Sequence, residues 1–151
     1  MGAIRRTFLW SSSVFCFAIC QAAMAGTESF ETGQIWTFRG ASPASSRVII
    51  GAVDNFDREN QPIISISITN APIPNAGKEL QTVAHLPVAA NVLRESVIEL
   101  EGAGPVPEGF GGGYSRWRQA YDSKKAGYFT IPVKEIVDIL RTQLGQQPAA
   151  N

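Results

Sequence analysis

Ile64, Ile66 and Ile68 alternate with Ser65, Ser67 and Thr69. No other stretch constrains the fold as tightly. A period of two puts all three isoleucines on one side of an extended chain, whereas a helix would scatter them around its axis. The run therefore predicts a strand with one apolar and one wet face. Its neighbours read as strands too. Gly33-Gln34-Ile35-Trp36-Thr37-Phe38 puts Trp36 and Phe38 on one side. Val48 to Val53 is continuously apolar, as expected of a strand covered on both faces. Gly40–Ser46, Asp54–Gln61 and Asn70–Gly77 carry the Ser, Pro, Asn and Gly content of loops and turns. Leu80 to Leu86 continues as a fourth strand.

The second half changes period. Pro87 stands where a helix can begin. Val88, Val92, Leu93, Val97 and Leu100 follow near helical spacing, which predicts a helix over 88–101. Gly102–Gly113 reads as a Gly/Pro loop. Tyr114, Trp117, Ala120 and Tyr121 predict a second helix ending near Gly127, and Tyr128–Ile131 a short strand. Val133, Ile136, Val137, Leu140 and Leu144 mark an amphipathic final helix. Strands first and helices after predict an α+β fold: a bent antiparallel sheet or half-open barrel of about four to five strands, covered by about three helices.

The chain opens with Arg5-Arg6, an apolar stretch from Phe8 to Ile19, and Ala23-Met24-Ala25 before Gly26. That is the order of a secretory signal peptide with an A-x-A cleavage site. The apolar stretch is shorter than the roughly 20 residues of a membrane span. Ile19 is bulky for the residue before a lipid-acceptor Cys20. Arg5-Arg6-Thr7-Phe8-Leu9 resembles a twin-arginine address, although the short head favours ordinary export. The expected organisation is a cleaved signal over 1–25, a flexible leader over 26–32, one domain over 33–144 and a disordered tail over 145–151. The expected location is periplasmic or secreted, with no stable membrane anchor after cleavage.

Cleavage after Ala25 removes both cysteines, Cys16 and Cys20, leaving His85 as the one histidine. Such a domain folds without disulfides, and thiol catalysis, cysteine zinc sites and multi-histidine metal sites are excluded within it. Thirteen Lys and Arg less Arg5 and Arg6 leave 11 against 13 acidic residues, so no basic excess points to nucleic acid. No cofactor is expected.

Three segments together resemble a group of small bacterial proteins for which no activity is established. They are Gly33-Gln34-Ile35-Trp36, Pro87 with Leu93-Arg94-Glu95-Ser96-Val97, and Gly113-Tyr114-x-x-Trp117 with Ala126-Gly127-Tyr128-Phe129-Thr130-Ile131. The resemblance covers most of residues 33–144 and implies no catalytic residues. The usual members of the group lack a signal, and this chain departs from them there.

Four places could carry function. In Gly109–Arg118 a flexible loop opens a helix. Arg116 and Arg118 could hold carboxylate or phosphate there, with Tyr114 and Trp117 as contact residues. The stretch lacks the Lys-Ser/Thr of a P-loop. The plain alternative is a loose connection followed by a helix that Trp117 and Tyr121 anchor to the core. His85 is a candidate general base, set against a hydrogen-bonded structural histidine. Asp54, Asp57 and Glu59 group oxygen ligands in a turn without EF-hand spacing, so a solvated hairpin tip is favoured over a metal site. Glu99 and Glu101 read as surface. The expected function is a non-enzymatic binding or inhibitor/immunity-type module whose partner is another envelope protein or an envelope ligand. The alternatives are a small hydrolase or transferase using His85 with carboxylates, and a structural domain pairing through a sheet edge.

Overall fold

The computed structural model describes residues 29–74 and 78–145. The expected export signal, the expected cleavage residues Ala23, Ala25 and Gly26, both cysteines and the last six residues lie outside the described residues. Five strands form one open sheet: β1 (Gln34–Phe38), β2 (Arg47–Asp54), β3 (Ile63–Ala71), β4 (Gln81–Ala89) and β5 (Val97–Ala103). Their order is β4-β3-β2-β1-β5, with every neighbouring pair antiparallel. Three helices complete an α+β fold: α1 (Ala90–Ser96), α2 (Phe110–Asp122) and α3 (Val133–Gly145). Among the described residues no helix is long and apolar enough to cross a membrane.

The main core follows the alternation of the strands. Trp36, Phe38, Val48, Ile50, Ile64, Ile66, Ile68 and Val88 gather with Leu93 of α1 and with Val133, Ile136 and Val137 of α3. At roughly 1.5–3 kcal/mol for each fully buried aliphatic side chain, this burial is the main favourable contribution to folding. Phe30 joins it, with its ring edge-on to Trp36 at 5.9 Å. The expected flexible leader is thus anchored at Phe30.

The opposite face departs from the expected wet one. Ser65 and Ser67 are fully buried, because α2 lies over this side of β3 and β4. Ile63, Trp117 and Tyr121 form a second apolar cluster there. The Ser67 hydroxyl donates to Ala84 O at 2.6 Å, which is how a polar side chain is accommodated at full burial.

Other expectations are corrected. Only Ala90–Ser96 of the predicted 88–101 helix is helical. Val97–Ala103 instead pairs with β1, placing Trp36 opposite Leu100 and Phe38 opposite Val97 across a bulge. The irregular register keeps Val97 and Leu100 against the core, so their helix-like spacing arises in a strand. Pro87 starts no helix. It lies within β4, an edge strand, and its carbonyl accepts from Phe129 N on the side away from β3. The missing N–H points the same way, so no ladder bond is lost. The 128–131 strand reduces to one parallel bridge, Val88 with Phe129. Helix α2 begins at Phe110, four residues before the expected start, and ends at Asp122, short of Gly127.

Candidate functional site: the junction of α2 with the sheet

Phe110, Tyr114, Trp117 and Tyr121 recur at spacings of four, three and four, one aromatic stripe along α2. Gly111, Gly112 and Gly113 precede most of it and weaken the helix intrinsically. Docking of the stripe overrides that weakness, and two glycines let it dock closely. A Cβ on Gly113 would stand 2.7 Å from His85 Cβ. A Cβ on Gly51, in β2, would stand 2.2 Å from the Phe110 ring. The helix therefore rests on β4, and Phe110 on β2, at distances that a side chain at either position would prevent.

His85 projects from β4 into this contact. Its ring centroid lies 5.5 Å from Phe110, 6.0 Å from Tyr114 and 5.6 Å from Trp117. Nε2 shares a 3.1 Å hydrogen bond with Ser65 Oγ. Burial lowers the His85 pKa, and the nearby negative charge of Asp54 opposes that shift in part. The neutral form of the ring is thereby favoured.

Asp54 ends β2 beneath the same helix, 9% exposed. Its Oδ1 accepts from Tyr114 OH at 2.9 Å and from Arg118 Nη1 at 2.6 Å, while Oδ2 is buried without a partner. Burial and the bond to Asp54 raise the Tyr114 pKa. Arg118 also reaches Asp122 at 3.3 Å, one turn on, and its guanidinium lies 4.5 Å over the Phe56 ring. Further along, Glu59 accepts from Tyr121 OH and, at 2.7 Å, from Tyr128 OH. These two hydroxyls hold its carboxyl below the usual range. Arg58 closes the group, its guanidinium 4.1 Å over the Tyr121 ring and Nη2 donating to Tyr121 O at 2.9 Å.

The structure thus gathers residues that the sequence offered as three separate candidates. Tyr114, Trp117, Arg118, His85, Asp54 and Glu59 all belong to one seam fastening α2 and the β2–β3 loop to the sheet. Trp117 is buried, with Nε1 donating to Gly127 O at 2.8 Å, so it is an anchor. Arg116 faces outward, with Nε donating to the carbonyl of Gly112. Asp57 is exposed, and among the described residues no three His, Cys, Asp or Glu side chains are placed to hold a metal ion. Glu101 pairs with Arg47 across β1, Oε1 accepting from Nη2 at 2.9 Å. Glu95 and Ser96 lie apart from His85. Ser96 Oγ donates to Val92 O and accepts from Val133 N, joining α1 to α3. Sequence reasoning missed Phe110, Gly51, Ser65 and Phe56. Phe110 alone left a trace, as the first member of the aromatic stripe, masked by the glycines behind it.

Chemically, His85 and Ser65 form a base–hydroxyl pair with a carboxylate nearby. A nucleophile must reach its substrate, however, and Ser65 has no exposed surface beneath α2. A cleft of about 320 Å³ lies elsewhere, lined by Arg39, Glu95, Ser96, Pro132, Lys134 and Glu135. Compared with protein-family models, with curated proteins and with solved structures, the chain finds no match.

Proposed function

We propose that this chain is an exported protein of the bacterial envelope that acts by binding a macromolecular partner through the outward side of α2, in the manner of an inhibitor or immunity-type module, and not by catalysis. One observation carries the reading. The seam fixes α2 rigidly from within through Asp54, Glu59, His85, Tyr114 and Trp117. Its outer side, with Ser115, Arg116 and Gln119, is left exposed. A pre-ordered helix face lowers the entropic cost of association, and arginine is well suited to such contacts.

Two measurements test it. The protein recovered from the envelope fraction should begin at Gly26 by mass spectrometry; an intact Met1 or a lipid on Cys20 removes the export half. The mature protein, immobilised, should retain a partner that Arg116→Glu loses and that Lys134→Glu, on the far helix, keeps. A partner retained equally by both variants removes the α2 face.

The 3.1 Å contact of His85 with Ser65 favours a second reading, a hydrolase whose site opens when α2 moves. A fluorophosphonate probe that labels Ser65 in the folded protein would support it over the first.

A further inference from the structure

We propose that His85 is an acid-sensitive pin: adding a proton to its ring frees α2 from the sheet while β1–β5 remain folded. The geometry of the seam carries this. A neutral ring can make its bond with Ser65 in either direction, but a protonated ring can only donate at Nε2 and must also satisfy an N–H at Nδ1. Around it stand three aromatic rings of α2, and the helix backbone presses on it at Gly113. The groups facing the ring are few. From β3 there is Ser65, fully buried. From α2 there is Tyr114, with Arg118 bonded beside it. From β2 there is Asp54, whose negative charge favours the protonated ring.

Asp54 offsets the cost of a cationic ring only in part, its Oδ2 being buried without a partner. Its bound oxygen already holds Tyr114 and Arg118, the two polar ties of α2 to β2. A cationic His85 that remains in place is partly desolvated, and one that turns toward the free Oδ2 of Asp54 gives up its bond to Ser65 and its seat among the rings of α2. Both outcomes loosen the same helix. The lowered pKa of the half-buried ring agrees in direction: opening α2 lets His85 take a proton at its ordinary 6.5, which the closed form resists. The helix is suited to release, because the glycines of its first turn make it marginal without its contacts.

The proposal concerns the domain itself and stands whether or not the outer side of α2 binds a partner. The single histidine gives one ring resonance, so its titration can be followed in the native protein without substitution. Expected are a His85 midpoint below 6.5 and amide exchange in α2, corrected for intrinsic rates, faster at about pH 5.5 than at about pH 7.5 by up to about tenfold. The β3 amides should stay better protected than those of α2 at both values. In His85→Gln this change should disappear. A native midpoint at or above 6.5, α2 exchange that does not change with pH, or α2 and β3 exchanging together at one rate would each overturn the proposal. If His85→Gln does not fold, the titration and exchange of the unaltered protein decide alone.

Discussion

Three consecutive glycines in α2 show how much a single position can decide. Gly111 and Gly112 have nothing within 4 Å of where a Cβ would stand, whereas Gly113 has His85 Cβ at 2.7 Å. Alanine is the better helix former by up to about 1 kcal/mol, so Gly112→Ala should stabilise the domain by up to that amount. The same change at Gly113 must push α2 off β4 or displace His85. Overpacking of this kind costs about 1–3 kcal/mol, which exceeds the propensity gain and reverses the sign. Urea midpoints of the two variants check this; equal shifts in one direction would show that α2 does not rest on His85. In the sequence the three glycines are alike and read as loop. Their difference arises from a neighbour 28 positions away, at His85, and local pattern carries no trace of it.

At the scale of elements, β3 was legible and its surroundings were not. The isoleucine phase is that of the main core, and Ile66→Ala should cost about 2–5 kcal/mol, as for other buried aliphatic truncations. The serines between them suggested solvent, yet each finds a partner within the fold. Ser67→Ala removes the 2.6 Å bond to Ala84 O at full burial and should cost about 1 kcal/mol. A Ser67→Ala midpoint unchanged within error would mean that its hydroxyl is not held. What hides such a face in the sequence is that serine satisfies either water or a backbone carbonyl. The α1–β5 boundary failed for a different reason: Val92, Leu93, Val97 and Leu100 fit a helix, and they equally fit a short helix running into a bulged strand. The choice is made by β1, whose Thr37 Oγ1 accepts from Glu99 N at 3.1 Å. Pro87 carries two signals, a helix start and an edge-strand position, and only the sheet order decides between them. The candidate site divides the same way. The sequence named most of its members, but it could not show that Asp54, His85 and Tyr114 meet.

For the molecule as a whole, pH acts through several such junctions. Glu59, Glu101 and Asp138 each have a lowered pKa, through Tyr121 and Tyr128, through Arg47, and through Lys134 respectively. A lowered carboxyl pKa contributes stability above the unfolded value, near 4.5 for Glu and 3.8 for Asp, that is lost as pH falls through the folded one. His85 acts earlier: its cost begins as pH falls below 6.5. Stability should therefore decline in two stages on acidification. Replacing both Tyr121 and Tyr128 by Phe should remove the Glu59 share of the lower stage, keep the shares of Glu101 and Asp138, and leave the upper stage, as urea midpoints measured across the acid range would show. The open sheet poses a second global problem, its two edges. That of β4 is covered at its C-terminal end, where Phe129 N donates to Pro87 O at 2.8 Å and Ala89 N to Phe129 O at 2.9 Å. That of β5 carries Ile98, 58% exposed, near Glu99 and Glu101, with Gly102 at φ of +148° one residue before its end. An incoming strand would meet the two carboxylates, and a second copy of β5 would bring like charges together, which disfavours pairing. Glu99→Val keeps the strand and removes one of the charges beside Ile98. It should turn a protein whose sedimentation is independent of concentration into one that self-associates as concentration rises, with added salt promoting association of the unaltered protein less than the substitution does. If the Glu99→Val protein sediments as the unaltered one does at every concentration, the edge is guarded by its bulge and by Gly102 and not by charge.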